Sequence, residues 1–151
     1  QDKDLKVLRR ETSNITGIDQ RFIRAGVLSE KATGIIDGGR VYGSIITLAL
    51  GDMGDNPLRP DYDQLERVLG YLKDNYPEAT RLLYLIDERG EEGYTIVMRA
   101  VKTKDFLKAE SMRIPWITLS EAATRIFESC NDVVKVYYDV TPKPPATIEY
   151  E

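Results

Sequence analysis

A chain of 151 residues, 42% hydrophobic and 30% charged, is sized for one ordinary domain or two small repeats sharing a core, and needs neither disulfides nor a metal to fold. Its net charge of −4 offers no basic field to nucleic acid or an acidic membrane, and no apolar run is long enough to cross a bilayer. With no histidine and one cysteine, Cys130, the sequence excludes an internal disulfide, a Cys-His or Ser-His catalytic pair and a His-based zinc site.

Residues 1–20 are polar with scattered Leu and Ile, and are expected to form a short helix or a tether. The chain opens on Gln1 without a secretory pattern, and we expect it to be part of a longer protein with further chemistry upstream. Around Ile35-Ile36-Asp37-Gly38-Gly39-Arg40-Val41-Tyr42, apolar residues flank Asp-Gly-Gly, which predicts a hairpin because glycine supplies the positive φ of a tight turn. Tyr42 to Leu50 reads as a buried strand, and Gly51 to Pro57 breaks it. Leu65, Val68, Leu69 and Leu72 recur at helical spacing, predicting an amphipathic helix over 61–75 that Asn75 to Pro77 ends.

Arg81 to Ile86 reads as a short strand, followed by the charged turn Asp87 to Gly93 and a strand from Tyr94 to Val101. Leu119, Ala122, Ala123, Ile126 and Phe127 mark a second helix over about 118–129, at whose end Cys130 reads as a small filler. Val133 to Asp139 is the last strand, and a proline-rich tail follows. Tyr42 and Tyr94 lie 52 residues apart, as do Asp87 and Asp139, which suggests duplication of a β-β-α-β unit. The expected fold is α+β, a two-layer sandwich. A mostly antiparallel sheet made by tight hairpins carries the helices on one face. Its other face, if apolar, calls for a cover that a second copy of the chain can supply. We divide the chain into residues 1–32, a first repeat over 33–87 and a second over 88–151.

Arg99-Ala100-Val101-Lys102-Thr103-Lys104-Asp105-Phe106 and the stretch from Val136 through Lys143-Pro144-Pro145-Ala146-Thr147-Ile148-Glu149-Tyr150-Glu151 resemble the carboxy-terminal domain of glutamine-hydrolysing GMP synthases. The resemblance runs contiguously from about Gly93 to the last residue, and Gly34 to Tyr42 is similar to the glycine-arginine hairpin of the same domain. Tyr150 departs from the tryptophan common there. The separation of the hairpin from Arg99 by a helix and a strand is similar to the longer members that carry two tandem dimerisation units. The resemblance implies a cytoplasmic three-part enzyme in which a glutaminase domain releases ammonia and an ATP-pyrophosphatase domain adenylates XMP. The carboxy-terminal part then helps hold XMP and pairs subunits into a homodimer. ATP and Mg are expected of the intact enzyme and no cofactor of this part. The chain has neither a Ser-Gly-Gly pyrophosphatase loop nor a Cys-His-Glu triad, so it should hold no catalytic residue and be inactive alone.

The tail is suited to a nucleotide. Pro142, Pro144 and Pro145 restrict φ and lower the entropy lost on ordering, and Lys143 between them is a natural phosphate partner. From the resemblance, Lys143 and Glu149 are expected to contact XMP, with Thr147 and Ile148 nearby and Arg40 as a second phosphate contact. The plainer alternatives are a solvated Lys143, a solubilising Arg40 beside its turn, and a Glu149 that pairs only within a dimer. Arg99 is expected to be a structural or interface ion-pair partner, and Glu88, Glu91 and Glu92 a solvated loop. A rival reading from another class is a free-standing dimeric regulatory domain that senses a small molecule, for which a duplicated, acidic β-helix-β unit also serves.

Overall fold

The computed structural model describes residues 2–36, 39–52, 56–103 and 109–142. The polar amino-terminal stretch is a helix, α1 (Asp2–Thr16), closed by Gly17 in the left-handed region at φ 75° with its N–H on the Ser13 carbonyl. After a single 3₁₀ turn come two long strands, β1 (Ile23–Ile36) and β2 (Gly39–Asp52), paired antiparallel from Ile23↔Leu50 to Ile36↔Gly39. The expected hairpin is thus present in its register, while its tip at 37–38 lies outside the described residues. Asn56–Pro57, β3, adds a two-residue edge to β2.

Helix α2 (Tyr62–Asn75) starts where the sequence predicts. The Gln64 side chain accepts the N–H of Asp61 at 3.0 Å, and Leu65, Val68 and Leu72 form the buried stripe. Strand β4 (Ala79–Glu88), strand β5 (Tyr94–Met98), a small antiparallel ribbon of β6 (Val101–Thr103) and β7 (Ala109–Ser111), helix α3 (Trp116–Ser129) and strand β8 (Val133–Asp139) complete the chain. In α3 the buried positions are Leu119, Ala123 and Phe127, one helical face. Cys130, read as a filler, caps that helix and is exposed.

The sheet runs β1-β2-β4-β8-β5 with β3 beside β2, and here the expected topology needs correction. The class is α+β and most pairings are antiparallel, as expected, but tight hairpins do not make all of them. The pairs β1/β2, β2/β3 and β4/β8 are antiparallel, while β2/β4 and β5/β8 are parallel. The charged turn after β4 does not close a hairpin, because β8 lies between β4 and β5. The cause is the two helical crossovers, which return the chain parallel to the strand it left. Strand β8 also buries residues on both faces (Val133, Val136, Tyr137 and Tyr138), the pattern of a central strand.

The two crossovers repeat one pairing pattern. Ser44 pairs with Ala79 and, after a bulge, Ile45 with Arg81; Tyr94 pairs with Val133 and, after a bulge, Thr95 with Lys135. Superposing these ladders sets Ile45 against Thr95, 50 positions on, and Arg81 against Lys135, 54 positions on. The Tyr42/Tyr94 and Asp87/Asp139 landmarks, both at 52, are therefore not matched by the ladders. The duplication remains an inference from the order of elements.

All three helices lie on one face, where Leu8, Val68 and Leu119 pack with Leu48, Leu82, Ile86 and Val136 in one core that draws on the whole chain. Arg59 pins the core's rim. It donates to the Leu85 and Ile86 carbonyls at 3.2 and 2.8 Å, beside the β4 irregularity, and lies over the rings of Tyr84 and Trp116. Trp116 stacks on Tyr62 at 4.5 Å and donates to the Pro60 carbonyl at 2.9 Å, joining the starts of α2 and α3. Burial pushes the Tyr84 hydroxyl above its ordinary pKa, and that hydroxyl donates to the Leu58 carbonyl at 2.6 Å.

The other face is apolar at Ile45, Ala49, Leu83, Leu85 and Tyr137. These five are at most 6% exposed in the single chain, so their burial does not need a second copy.

Candidate functional site

Because β2 and β4 are parallel and β8 opposes β4, the starts of β2 and β4 and the ends of β8 and β5 share one end of the sheet. The root of the carboxy-terminal tail leaves from that end. Arg40 belongs to it too, opposite Ile35 on a stretch of β2 about 13 Å along the strand before Ser44, where pairing with β4 begins. Lys143, Thr147, Ile148 and Glu149, the expected nucleotide contacts of the tail, lie outside the described residues, and the side chain of Arg40 is not described.

The root itself is tied down by a buried polar cluster. Asp139 closes β8 on the helix-free face and is 1% exposed. One carboxylate oxygen, Oδ2, faces Arg81 Nε at 3.5 Å and Arg99 Nε at 3.8 Å, and Oδ1 accepts the Thr141 N–H at 2.9 Å. Arg81, on β4, also donates to the Thr80 carbonyl at 2.9 Å. Arg99, just past β5, fills the structural role its sequence position suggested.

Thr141 then grips the backbone of β4. Its hydroxyl accepts the Leu82 N–H at 2.7 Å and stands 3.3 Å from the Leu82 carbonyl, to which it donates, while the Val140 N–H reaches the same carbonyl at 3.1 Å. The strand pairing of β4 and β8 is thereby extended two residues past Asp139 by one main-chain and two side-chain bonds. The tail consequently starts from a fixed point, with Pro142 next and Lys143 after it.

At the opposite end of the same face is a shallow cleft of about 150 Å³ bordered by Arg24, Thr47, Leu85, Lys135 and Tyr137. It is below the 300 Å³ or so that a drug-sized ligand occupies, so it does not hold a nucleotide alone. Arg24 donates to Glu88, and this bond holds its guanidinium more firmly protonated than usual. Glu88 is thus tied to β1 rather than a solvated loop residue, contrary to the sequence reading. Burial raises the Tyr137 hydroxyl's pKa, with Thr47 acting the other way through a hydrogen bond.

The sequence reading did not single out Asp139, Arg81 and Thr141 as a group. A signal existed: Arg81 and Asp139 are charges of opposite sign directly flanking the apolar runs Leu82 to Ile86 and Val136 to Tyr138, and such charges are rarely buried unless paired. Among the described residues no group of three Asp, Glu, Cys or His gathers that could hold a metal, and no helix is long and apolar enough to cross a membrane. The arrangement can anchor and orient a segment. It contains no nucleophile-base pair.

Comparison with known proteins bears on the same region. Residues 85–150 match the model of the GMP synthase C-terminal domain. The chain is 35% identical over 138 residues to a glutamine-hydrolysing GMP synthase subunit of Saccharolobus solfataricus, covering 91% of this chain and 33% of that protein. With the corresponding protein of Sulfurisphaera tokodaii it shares 35% over 143 residues, 94% of this chain and 34% of the relative. With the glutamine-hydrolysing GMP synthase of Clostridium botulinum it is 51% identical over 65 residues, 43% of this chain and 12% of the relative. The chain spans about a third of the length of the archaeal relatives it matches along most of its length.

Proposed function

We propose that this chain, whose residues 85–150 match the model of the GMP synthase C-terminal domain, is the carboxy-terminal part of a cytoplasmic glutamine-hydrolysing GMP synthase. In that role it helps hold XMP and pairs subunits into a homodimer. The rest of the enzyme carries out the ATP- and ammonia-dependent conversion of XMP to GMP. The observation that carries this reading is similarity to archaeal GMP synthase subunits along nine-tenths of the chain. It favours part of an enzyme over a free-standing small-molecule sensor. The division into an amino-terminal segment and two units, 33–87 and 88–151, belongs to the same reading.

In this scheme the tail closes a nucleotide site built mainly by the pyrophosphatase domain. Lys143 meets the phosphate, Arg40 assists from the same sheet end, and Glu149 accepts hydrogen bonds from the purine or ribose beside Thr147 and Ile148. Magnesium-bound ATP and the glutaminase act in the other domains, and no step of their chemistry uses a residue of this chain. The part alone is inactive.

In the intact enzyme, Lys143→Ala should raise the XMP requirement by an amount corresponding to about 1.5–3 kcal/mol, the worth of a charge-assisted hydrogen bond. ATP and glutamine requirements should stay near wild type. Steady-state titration of each substrate checks this, and an unchanged XMP dependence removes Lys143 from the site. Subunit pairing is tested separately. Sedimentation of the chain at micromolar concentration is expected to show a species of twice 17.2 kDa; a 17.2 kDa species alone would end the claim that this part pairs subunits.

A further inference from the structure

We infer that Thr141 is a positioning residue for the nucleotide site, acting as the clamp that sets where along the sheet end the Lys143 tail begins. The inference rests on the proposed role of that tail and extends it to a residue that touches no substrate.

Three observations carry it. Thr141 is 2% exposed, so its hydroxyl bonds are shielded from water and from competition by it. Those bonds go to both backbone groups of one residue, Leu82, which fixes the register of the tail root against β4 rather than only its distance. The Thr141 N–H is held in addition by Asp139, whose carboxylate is itself fixed between Arg81 on β4 and Arg99 just past β5. Only Pro142, with its restricted φ, stands between this clamp and Lys143. A slip at Thr141 therefore moves the point from which the tail departs toward Lys143. Displacements of about 1 Å at such a point are enough to cost a site much of its function.

The clamp also has a chemical requirement that a mere core residue would lack. A hydroxyl is both donor and acceptor, and only a donor-acceptor group can answer the Leu82 N–H and carbonyl together. Valine has nearly the same shape and neither function.

The test uses the intact enzyme, with XMP, ATP and ammonia titrated separately. Thr141→Val should raise the XMP requirement about fivefold to tenfold, the size of one or two lost hydrogen bonds, and leave the ATP and ammonia requirements unchanged. Thr141→Ser, which restores the hydroxyl, should return the XMP requirement to near wild type. A glycine inserted between Pro142 and Lys143 leaves the clamp intact but lengthens the lead to the lysine, and should reproduce the XMP defect even if Thr141→Val folds poorly. The inference fails if Thr141→Val weakens XMP and ATP use together in step with lost stability, or if serine does not rescue. It also fails if Thr141→Val and the glycine insertion leave XMP use untouched while Lys143→Ala impairs it; in that case the role of the tail stands. If Lys143→Ala has no effect on XMP use, the role of the tail falls first and the positioning role falls with it.

Discussion

Replacing Asp139 with alanine is expected to lower the folding stability of this chain by about 3–5 kcal/mol, the cost of removing one partner from a buried ion cluster. Its carboxylate faces Arg81, whose side chain is fully buried, and Arg99, whose side chain is 14% exposed. Neither guanidinium gives up its charge in a protein. Alanine would also release the Thr141 N–H and with it the root of the tail. Against a total of about 5–15 kcal/mol for an ordinary domain, this is a large fraction. Urea unfolding should show a lower midpoint at unchanged slope. Asp139→Asn keeps an acceptor for Thr141 and should recover part of the loss, separating geometry from charge. A loss under about 1 kcal/mol for the alanine variant would mean that the two arginines do not depend on this carboxylate.

The second large effect is expected at Gly43. A Cβ there would lie 2.2 Å from the Glu78 carbonyl oxygen and 2.6 Å from Thr80 Cγ2. The Glu78 carbonyl cannot easily withdraw, because it accepts the Ser44 N–H at 2.8 Å where β2 and β4 begin to pair. Gly43→Ala should thus force the two strands apart at that end and cost about 3 kcal/mol, the upper part of the usual range for overpacking. Gly70→Ala is the matched control: it is in α2 with nothing within 4 Å of the new methyl, and should stabilise by about 0.5–1 kcal/mol. Thermal unfolding of the two variants side by side decides the matter. Equal and small shifts would show that the β2/β4 junction yields to the extra carbon.

These two positions indicate what the residues disclosed in advance. The helices were legible because their apolar stripes recur locally: Leu65, Val68 and Leu72 in α2, and Leu119, Ala123 and Phe127 in α3. Strand β8 was legible to the residue as Val133–Asp139. Of the arm formed by β1 and β2, strand β2 was legible over Tyr42 to Leu50 and β1 only beside the Asp-Gly-Gly turn. The start of β1, from Ile23, carries the mixed sequence Arg24-Ala25-Gly26, which has no clear alternation. Of the proposed nucleotide site, the proline-flanked Lys143 was visible as a string of residues. Its anchor was not, because Arg81, Arg99, Asp139 and Thr141 come from three separated stretches.

By itself, then, the sequence determined the position of α2 and α3 and of strands β2, β4, β5 and β8, the absence of histidine chemistry and the resemblance of the carboxy-terminal part to a known family. Each of these depends on residue type or on short-range periodicity, which a linear chain carries in full. Only the tertiary structure decided that β8 inserts between β4 and β5, and that two of the five pairings in the sheet are parallel. It also decided that Arg81 and Arg99 share one carboxylate, and that the tail starts from a hydroxyl clamped to Leu82. The physical reason is that strand order follows from how helical crossovers bury the apolar faces of all strands at once. Two charges can meet in a core only after that order has brought their strands side by side.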